Sequence, residues 1–478
     1  MENKESIPSY NRVTLVAILL AGTFVALLNQ TLMNTAIPQV MKDLNITPGT
    51  AQWLTTVFML INGIMIPVSA FLIERFSTRR LFLTAITIFA FGTIVGGFAH
   101  SFPMLMAGRV IQASGAGVMM PLMQTVFLII FPKEKRGQVM GMVGLAIAFA
   151  PAIGPTLSGW LLEHYSWRVL FYVLFPIAVI DLIAAALLLK NVTRLTNPKV
   201  DIPSIILSSF GFGGLLFGFS NAGDMGWGSA QVLISLLVGA VALFFFIARQ
   251  LKMERPMLEF RIFGNFIFTL TTILTMIVFM AMIAAELLLP MYMQEMRGYS
   301  SLQSGLMLLP GAIVMGIMNP IGGKIFDRYG ARGLAIIGFS IVTVTTFMMY
   351  GLSISTPYAA VMLIYAVRML GISMVMMPVT TAGLNQIPQH LIPHASAMGN
   401  TMRMMAGSIG TAILVTVMTA TSKQSAVGHA EAMIHGVNNA FMVSGFLALA
   451  GLIGAFFIKK RSIEKSGKTA APVPATET

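Results

Sequence analysis

Fourteen long apolar stretches dominate the sequence. The hydrocarbon core of a bilayer is about 30 Å thick, and a helix needs roughly 20 apolar residues to cross it. In lipid every backbone N–H and C=O must be paired within the protein, and helices achieve this for runs of this length. The sequence therefore predicts an all-α polytopic membrane protein with fourteen transmembrane helices, at residues 13–35, 51–73, 81–99, 105–130, 137–162, 168–189, 203–222, 229–248, 267–293, 303–325, 333–352, 358–384, 395–420 and 437–458.

Composition and charge exclude other classes of protein. Residues are 56% hydrophobic and 10% charged, whereas soluble domains carry about 25% charged residues. The net charge of +13 does not indicate nucleic-acid binding, because 23 of the 30 lysines and arginines fall on the side of the termini and four on the opposite side. This bias predicts a cytoplasmic-membrane protein with both termini in the cytoplasm. The lack of cysteine excludes disulfides and thiolate metal sites.

The N-terminal and C-terminal halves of the sequence resemble each other. Glu74-Arg75 after the second stretch corresponds to Asp327-Arg328 after the tenth, and Arg109 in the fourth corresponds to Arg368 in the twelfth. Duplicated halves are typical of secondary transporters, whose site lies between the repeats. The predicted units are a cytoplasmic N-terminus at 1–12, a six-helix half at 13–190, an inserted helix pair at 191–262, a second six-helix half at 263–458 and a disordered cytoplasmic tail at 459–478.

The repeated loops carry acids and arginines that can pair with each other or with helix ends. We interpret them as a cytoplasmic gate between the halves, and the alternative is a solvated basic turn. The predicted gate residues are Glu74, Arg75, Arg79, Arg80, Asp327, Arg328 and Arg332.

Two features lie inside the predicted membrane helices. Arg109 is a buried cation that needs acceptors and suits a role beside a proton site, although backbone carbonyls alone could satisfy it. In the fifth stretch, prolines kink the helix and glycines give it a flat packing face. The residues concerned are Gly144, Pro151, Gly154, Pro155 and Gly159.

The paired loops resemble the signature of the major facilitator superfamily. The second copy matches well, whereas the first has Ala70 and Ser77 in place of glycines and Glu74 in place of aspartate. The fifth stretch looks like the antiporter motif of proton-driven exporters in that superfamily; the alternative is a plain packing face.

Three further segments narrow the resemblance to fourteen-helix drug:proton antiporters of the lincomycin-resistance type. They are residues 28–38, 289–294 and 399–407. Many members of this branch have aspartate where this chain has Asn29, so the usual carboxylate of the first helix is missing here.

Glu286 is the candidate for that missing acid. An ionisable residue within the membrane costs about 2.5–3.5 kcal/mol on insertion scales, so its presence suggests a use. We expect Glu286 to carry the coupling proton, with Arg109 and Arg403 acting on it; the alternative is that Glu286 is the structural partner of a nearby arginine. Asp181 is the reserve candidate, on a helix expected to support the bundle from outside with this residue at the lipid interface. The six histidines lie near helix ends, so a histidine relay is not expected.

Neutral polar side chains are the expected substrate contacts. Flexible methionines suit promiscuous apolar binding, and few fixed charges favour neutral or weakly basic amphipathic compounds. The predicted cavity residues are Asn29, Gln30, Asn34, Gln112, Gln124, Arg368 and Asn400.

Together these features predict a secondary active transporter, not an enzyme, that expels amphipathic drugs such as lincosamide-like compounds and dyes by proton antiport. The alternatives are a dedicated exporter of an endogenous metabolite or lipid and a transport-inactive sensor or scaffold. The expected partners are small amphipathic drugs or metabolites, protons and the lipid bilayer, with no nucleic acid, cofactor or metal. We expect a monomer.

Overall fold

The computed structural model describes residues 11–193, 195, 196, 198, 200–422 and 429–458, and in this part of the chain the regular structure is helical. Fourteen of its helices are long and apolar enough to cross a membrane, which confirms the predicted number. The predicted N-terminal segment before residue 11 and the predicted tail 459–478 lie outside the described residues.

The helices are α1 (Arg12–Leu44), α2 (Pro48–Arg75), α3 (Thr78–Gly97), α4 (Phe102–Ile130), α5 (Arg136–His164), α6 (Val169–Leu188), α7 (Ile202–Met225), α8 (Ala230–Lys252), α9 (Phe266–Met291), α10 (Ser301–Tyr329), α11 (Ala331–Met349), α12 (Tyr358–Leu384), α13 (Ile392–Ser422) and α14 (His429–Ala455).

Several helices extend beyond the apolar stretches that predict them. Hydropathy marks the part of a helix in hydrocarbon, whereas the backbone hydrogen bonds continue until a cap ends them. α1 starts after Asn11, whose side chain accepts from the N–H of Val13, and ends at Asn45 in the left-handed region (φ 50°). Ser300 and Gln303 form a capping box at the start of α10. Capping residues therefore determine where these helices begin and end.

The helices pack in two groups. Within α1–α6 the main contacts are α3 with α4, α2 with α4 and α1 with α5; within α9–α14 they are α10 with α12, α11 with α12 and α11 with α14. The groups meet along α5 with α10 and along α2 with α13. Gly137 and Gly323 let α5 and α10 approach until backbone touches backbone. These two seams enclose the space between the groups.

The inserted pair α7–α8 lies beside the second seam. α7 packs against α2 and α13 together, so it bridges the two groups. The Trp227 indole N–H donates to the Thr416 hydroxyl at 2.7 Å, and the Ser220 hydroxyl donates to that of Ser408 at 3.3 Å. The outer face of α8 exposes large apolar side chains, as a lipid-facing helix does, at Leu233, Ile234, Leu237, Val241, Phe244 and Phe245.

Candidate transport site

A cavity of about 550 Å³ lies between the two helix groups. α1 begins at the end of the bundle that also contains Arg12, Arg75 and Arg136. We call this end the base and the opposite end the top. The residues of α1 that line the cavity run from Thr23, near mid-helix, to Met41 near the top. At the top Asn34 and Gln52 are both lining and exposed. The cavity is therefore open at the top and ends near the middle of the bundle.

The cavity wall is apolar with scattered neutral polar groups and one cation. Among the described residues that line it, Arg403 is the one ionisable side chain, and none is an acid. The amide side chains on the wall belong to Gln30, Asn34, Gln52, Asn62 and Asn400. The structure thus places Gln30, Asn34 and Asn400 of the predicted set at the cavity.

Arg403 belongs to a polar chain that joins the two groups at the closed end of the cavity. Its guanidinium Nη2 donates to Asn400 Oδ1, while Nη1 has no hydrogen-bond partner among the described residues. Asn400 Nδ2 in turn donates to Gln124 Oε1 of α4 at 2.8 Å, and the Ser396 hydroxyl donates to the same oxygen at 3.0 Å. Gln124 therefore bridges the groups below the cavity.

Arg109 lies behind the cavity wall. Its Nε donates to the Leu54 carbonyl at 3.2 Å, its Nη1 donates to Gln112 Oε1 at 3.2 Å, and the Phe58 ring centroid lies 4.2 Å from its guanidinium carbon. Gln112 also contacts Asn29, across 3.4 Å. Asn29 and Gln112, predicted for the cavity, are thus buried between helices, because successive residues on α1 differ by about 100° in direction and Gln30 takes the cavity face.

Arg368 is also placed away from the cavity. It is fully buried. Its Nη2 donates to the Ala281 carbonyl of α9 at 2.6 Å and its Nη1 donates to the Thr346 hydroxyl of α11. In this state it joins three helices of one group.

Glu286 lies on α9, toward the top from the cavity. Phe279 and Ile283 line the cavity, and Glu286 follows three residues later on nearly the same helix face. The structure shows no hydrogen bond or ion pair for Glu286 within the described residues, and Tyr365 of α12 is close enough to interact with it electrostatically. It is half-buried. Neither Arg109 nor Arg403 forms an ion pair with it among the described residues.

Asp181 is buried inside the first helix group. A Cβ added at Gly22 of α1 would lie 2.7 Å from its Oδ2, which has no hydrogen-bond partner among the described residues. The expected lipid-interface position is wrong, because α6 turns Ile180 and Ile183 to the outside and Asp181 toward α1. Asp181 is therefore shielded from lipid.

Three polar contacts close the base between the groups. Asp327 of α10 accepts from the backbone N–H groups of Gly137 and Gln138 at 2.8 and 2.9 Å, at the start of α5. Arg136 Nη1 donates to Asn385 Oδ1 at 2.9 Å. Glu74 Oε1 lies 2.9 Å from His394 Nε2. Asp327 is favourably placed, because the N-terminus of a helix carries partial positive charge.

The remaining predicted gate residues lie around this closure. Arg75 donates to the Pro198 carbonyl at 3.1 Å, and Arg79 donates to the Ala186 carbonyl. Arg80 lies in the first turn of α3, and its backbone N–H donates to the hydroxyl of the N-cap residue Ser77. Arg328 lies over the ring of Tyr329, and Arg332 lies in the first turn of α11.

The α5 glycines face different neighbours. Gly144 packs against Asn319 of α10 and Gly154 against Thr31 of α1, whereas a Cβ at Gly159 would meet nothing within 4 Å. Pro151 and Pro155 both lie within α5. The side-chain amide of Asn319 is buried, and neither its oxygen nor its nitrogen has a hydrogen-bond partner among the described residues.

Sequence reasoning missed His394, Arg136, Asn385 and Asn319. The position of His394 near a helix end argues against a proton relay but gives no sign of a partner 320 residues away. Asn319, directly before Pro320 in an apolar run, is a visible polar signal of the kind that marks helix interfaces in membranes.

The fold and the cavity define a membrane transporter with two helix groups around a central site, open at one end. The family model of the major facilitator superfamily matches residues 19–411, and the chain belongs to this family of membrane transporters.

Relatives and a solved structure agree with this class. The uncharacterized MFS-type transporter YcnB of Bacillus subtilis is 57% identical over 452 residues, covering 94% of this chain and 96% of that one. The lincomycin resistance protein LmrB of the same organism is 43% identical over 461 residues, covering 94% and 96%. The crystal structure of the human organic anion transporter MFSD10 shares the fold, with a TM-score of 0.66 at 14% identity over 91% of this chain and 99% of that one.

Proposed function

We propose that the protein exports amphipathic drugs across the cytoplasmic membrane in exchange for protons that enter the cell. Relatives support export of drugs: LmrB, 43% identical to this chain, is named for lincomycin resistance. A lincosamide is therefore the first substrate to test. The alternating exposure of one cavity by two helix groups would supply the mechanism.

The cavity between the groups carries the proposal. It is open at the top and closed at the base by contacts that include Asp327 with α5 and Glu74 with His394. Alternating access requires a state with one end open and a counterpart with the other end open. The polar groups of these contacts can bond to water when the base opens, which offsets part of the cost of breaking them.

The base is assigned to the cytoplasm by its charge. Arg75, Arg79, Arg136 and Arg328 all lie there, and positive charge concentrates on the cytoplasmic side of membrane proteins. On this assignment the described state faces outward, which is the state in which an exporter releases its substrate and takes up a proton.

Glu286 is the proposed carrier of the coupling proton. It lies in the top half of α9, one helical turn from cavity-lining Ile283. No hydrogen bond or ion pair engages it among the described residues, so a proton can bind without breaking one. Arg109 would contribute in this state by fixing α2 against α4 through Leu54.

The test is transport in proteoliposomes that contain the full chain and have an acidic interior. Outward proton flow should drive accumulation of a radiolabelled lincosamide by the wild type. Glu286→Gln should lose the gradient-driven accumulation and retain lincosamide binding. Glu163→Gln, which neutralises an exposed acid at the top of α5, is the matched control and should transport like the wild type.

Two results would contradict parts of the proposal. Equal accumulation by Glu286→Gln and wild type would remove the coupling proton from Glu286 and direct attention to Asp181. No accumulation of any tested drug by the wild type would contradict drug export and favour an exporter of an endogenous metabolite or lipid, or a membrane scaffold.

A further inference from the structure

The charge of the cavity bears directly on what it can bind. Arg403 is the one ionisable side chain among the described residues on its wall, and no acid there balances it. A hydrophobic cation entering this space would meet a like charge in apolar surroundings, where charge interactions are stronger than in water. The sequence-based expectation of neutral or weakly basic compounds did not take this cation into account.

We infer that the cavity preferentially binds amphipathic compounds that carry an anionic group, such as a carboxylate or sulfonate on an aromatic body, and that Arg403 binds this group. The inference rests on the proposed function only in taking the cavity as the substrate site. It goes further by naming the charge of the preferred substrate and the residue that selects it, and it ranks a weakly basic compound such as a lincosamide below an anionic one in affinity.

The surroundings of Arg403 favour an anion. The side chain is 5% exposed, so most of its hydration is lost. Its one hydrogen bond goes to the neutral Asn400, and Nη1 has no partner among the described residues. A buried cation without a counter-ion is unfavourable. An anionic ligand toward which the guanidinium turns would supply both the missing charge and the missing acceptor, through a charge-assisted hydrogen bond.

The rest of the wall fits the other parts of such a compound. Phe279, Ile283 and Met404 provide an apolar surface beside Arg403 for an aromatic ring. Gln30 and Asn62 provide neutral amides for additional acceptors or donors. This arrangement, many apolar contacts around a few orienting polar groups, is common in small-molecule sites.

Binding at Arg403 would also reach the contact between the helix groups. Asn400 bonds Arg403 through its oxygen and Gln124 of α4 through its nitrogen. An anion that draws the guanidinium away from Asn400 removes one bond of this amide, whose nitrogen also donates to the Ser396 carbonyl at 2.9 Å. The polar chain that reaches Gln124 then loses a member, so the ligand can favour one arrangement of the groups over the other.

The experiment compares two dyes that differ in one group. Anilinonaphthalene sulfonate is anionic, and phenylnaphthylamine is its neutral parent. Binding of each to the full chain in nanodiscs is measured by equilibrium dialysis, with empty nanodiscs subtracted. The wild type should bind the sulfonate about tenfold or more tightly than the neutral dye, a difference of about 1.4 kcal/mol, because charge-assisted hydrogen bonds are stronger than neutral ones.

Variants of Arg403 identify the group responsible. Arg403→Gln should lose the preference for the sulfonate and change binding of the neutral dye less than about threefold, whereas Arg403→Lys should keep much of the preference. Arg255→Gln, which removes an exposed arginine outside the cavity, should keep all of it. Retained binding of the neutral dye shows that the Arg403→Gln cavity is folded.

The wild type alone can overturn the inference, whether or not the variants fold. Equal binding of the two dyes, or tighter binding of the neutral one, would contradict it, as would a preference that survives in Arg403→Gln. The inference on binding and the proposed function can be contradicted independently. An Arg403-dependent preference in a protein that exports nothing would contradict only the proposed function. Drug export without any preference would contradict only this inference.

Discussion

Glu74 and His394 lie 2.9 Å apart and join the end of α2 to the start of α13 at the base. Their side chains are 19% and 5% exposed, so the contact is shielded from most of the solvent. Glu74 is one of the gate residues predicted from the sequence, and its partner His394 belongs to the other helix group. The contact therefore holds the base closed between the groups.

Removing this contact should open the base. We expect Glu74→Gln to shift the population toward the state with an open base by roughly 1 kcal/mol, or about fivefold, because a hydrogen bond to a carboxylate is stronger than one to a neutral amide. The sequence contains no cysteine, so spin labels can be attached at Lys133→Cys, just before α5, and at Lys324→Cys on α10, one on each side of the seam between the groups. Double electron–electron resonance should show a larger fraction of long distances in the variant.

A double-mutant cycle separates the contact from other effects of Glu74. If the two residues act through each other, Glu74→Gln/His394→Gln should open the base no more than either single variant. Additive effects of the two substitutions would contradict a direct role for the contact.

The close approach of α5 and α10 gives a second prediction. A Cβ at Gly323 would collide with the backbone of Gly137, whereas a Cβ at Gly305 on the same helix would meet nothing within 4 Å. Gly323→Ala should push the helices apart at the base at a cost of about 1–3 kcal/mol, typical of overpacking. The spin-label pair at the base should report it as a longer distance. Gly305→Ala is the matched control, and an equal effect of both substitutions would attribute the change to helix propensity instead.

Hydropathy and the internal repeat predict the fourteen spans and the two groups because both depend on residue type alone. They do not predict which side of a helix faces the cavity. α1 is apolar on nearly all sides, so Asn29 and Gln30 are equivalent in the pattern, although one lies against Gln112 and the other at the cavity. Rotation of a helix is set by packing against its neighbours.

Contacts between the groups are the other gap. Asp327 is recognisable as a gate residue from its loop, and the structure gives it the start of α5 as a partner. His394 reaches Glu74 at the seam of α2 and α13, and Arg136 reaches Asn385 after α12. Each lies in an ordinary polar segment at a helix start. No periodicity marks such pairs, because their spacing depends on how the two groups dock.

The inserted pair should respond to acid through Asp201. The Arg249 side chain hydrogen-bonds to Asp201 and lowers the pKa of this carboxyl, an effect that burial partly opposes. A carboxyl with a lowered pKa stabilises the folded state above its unfolded pKa of about 3.9, and the contribution disappears as the pH falls through the folded value. We expect Asp201→Asn to melt at a lower temperature than wild type at pH 7, and this difference to vanish in acid.

Thermal unfolding of both proteins across the pH range tests this. Arg249→Gln removes the same ion pair from the other side and should behave like Asp201→Asn at neutral pH. A difference in melting temperature that stays constant into acid would contradict a role for the charge of Asp201.

Asn319 gives the last prediction, because its side-chain amide is buried at the seam of α5 and α10 with neither polar atom paired among the described residues. Gly144 packs on it, one turn toward the base from cavity-lining Ile147, so Asn319 lies beneath the closed end of the cavity. Opening of the base would bring water to this amide. An unpaired buried polar group costs about 1–3 kcal/mol, and Asn319 therefore disfavours the closed base and helps the groups to separate.

Replacing Asn319 by leucine, which is close to asparagine in volume, removes this cost. Asn319→Leu should raise the melting temperature, reduce the fraction of long distances between the labels at the base and slow lincosamide transport. A lower melting temperature together with a more open base would show instead that the amide stabilises this seam.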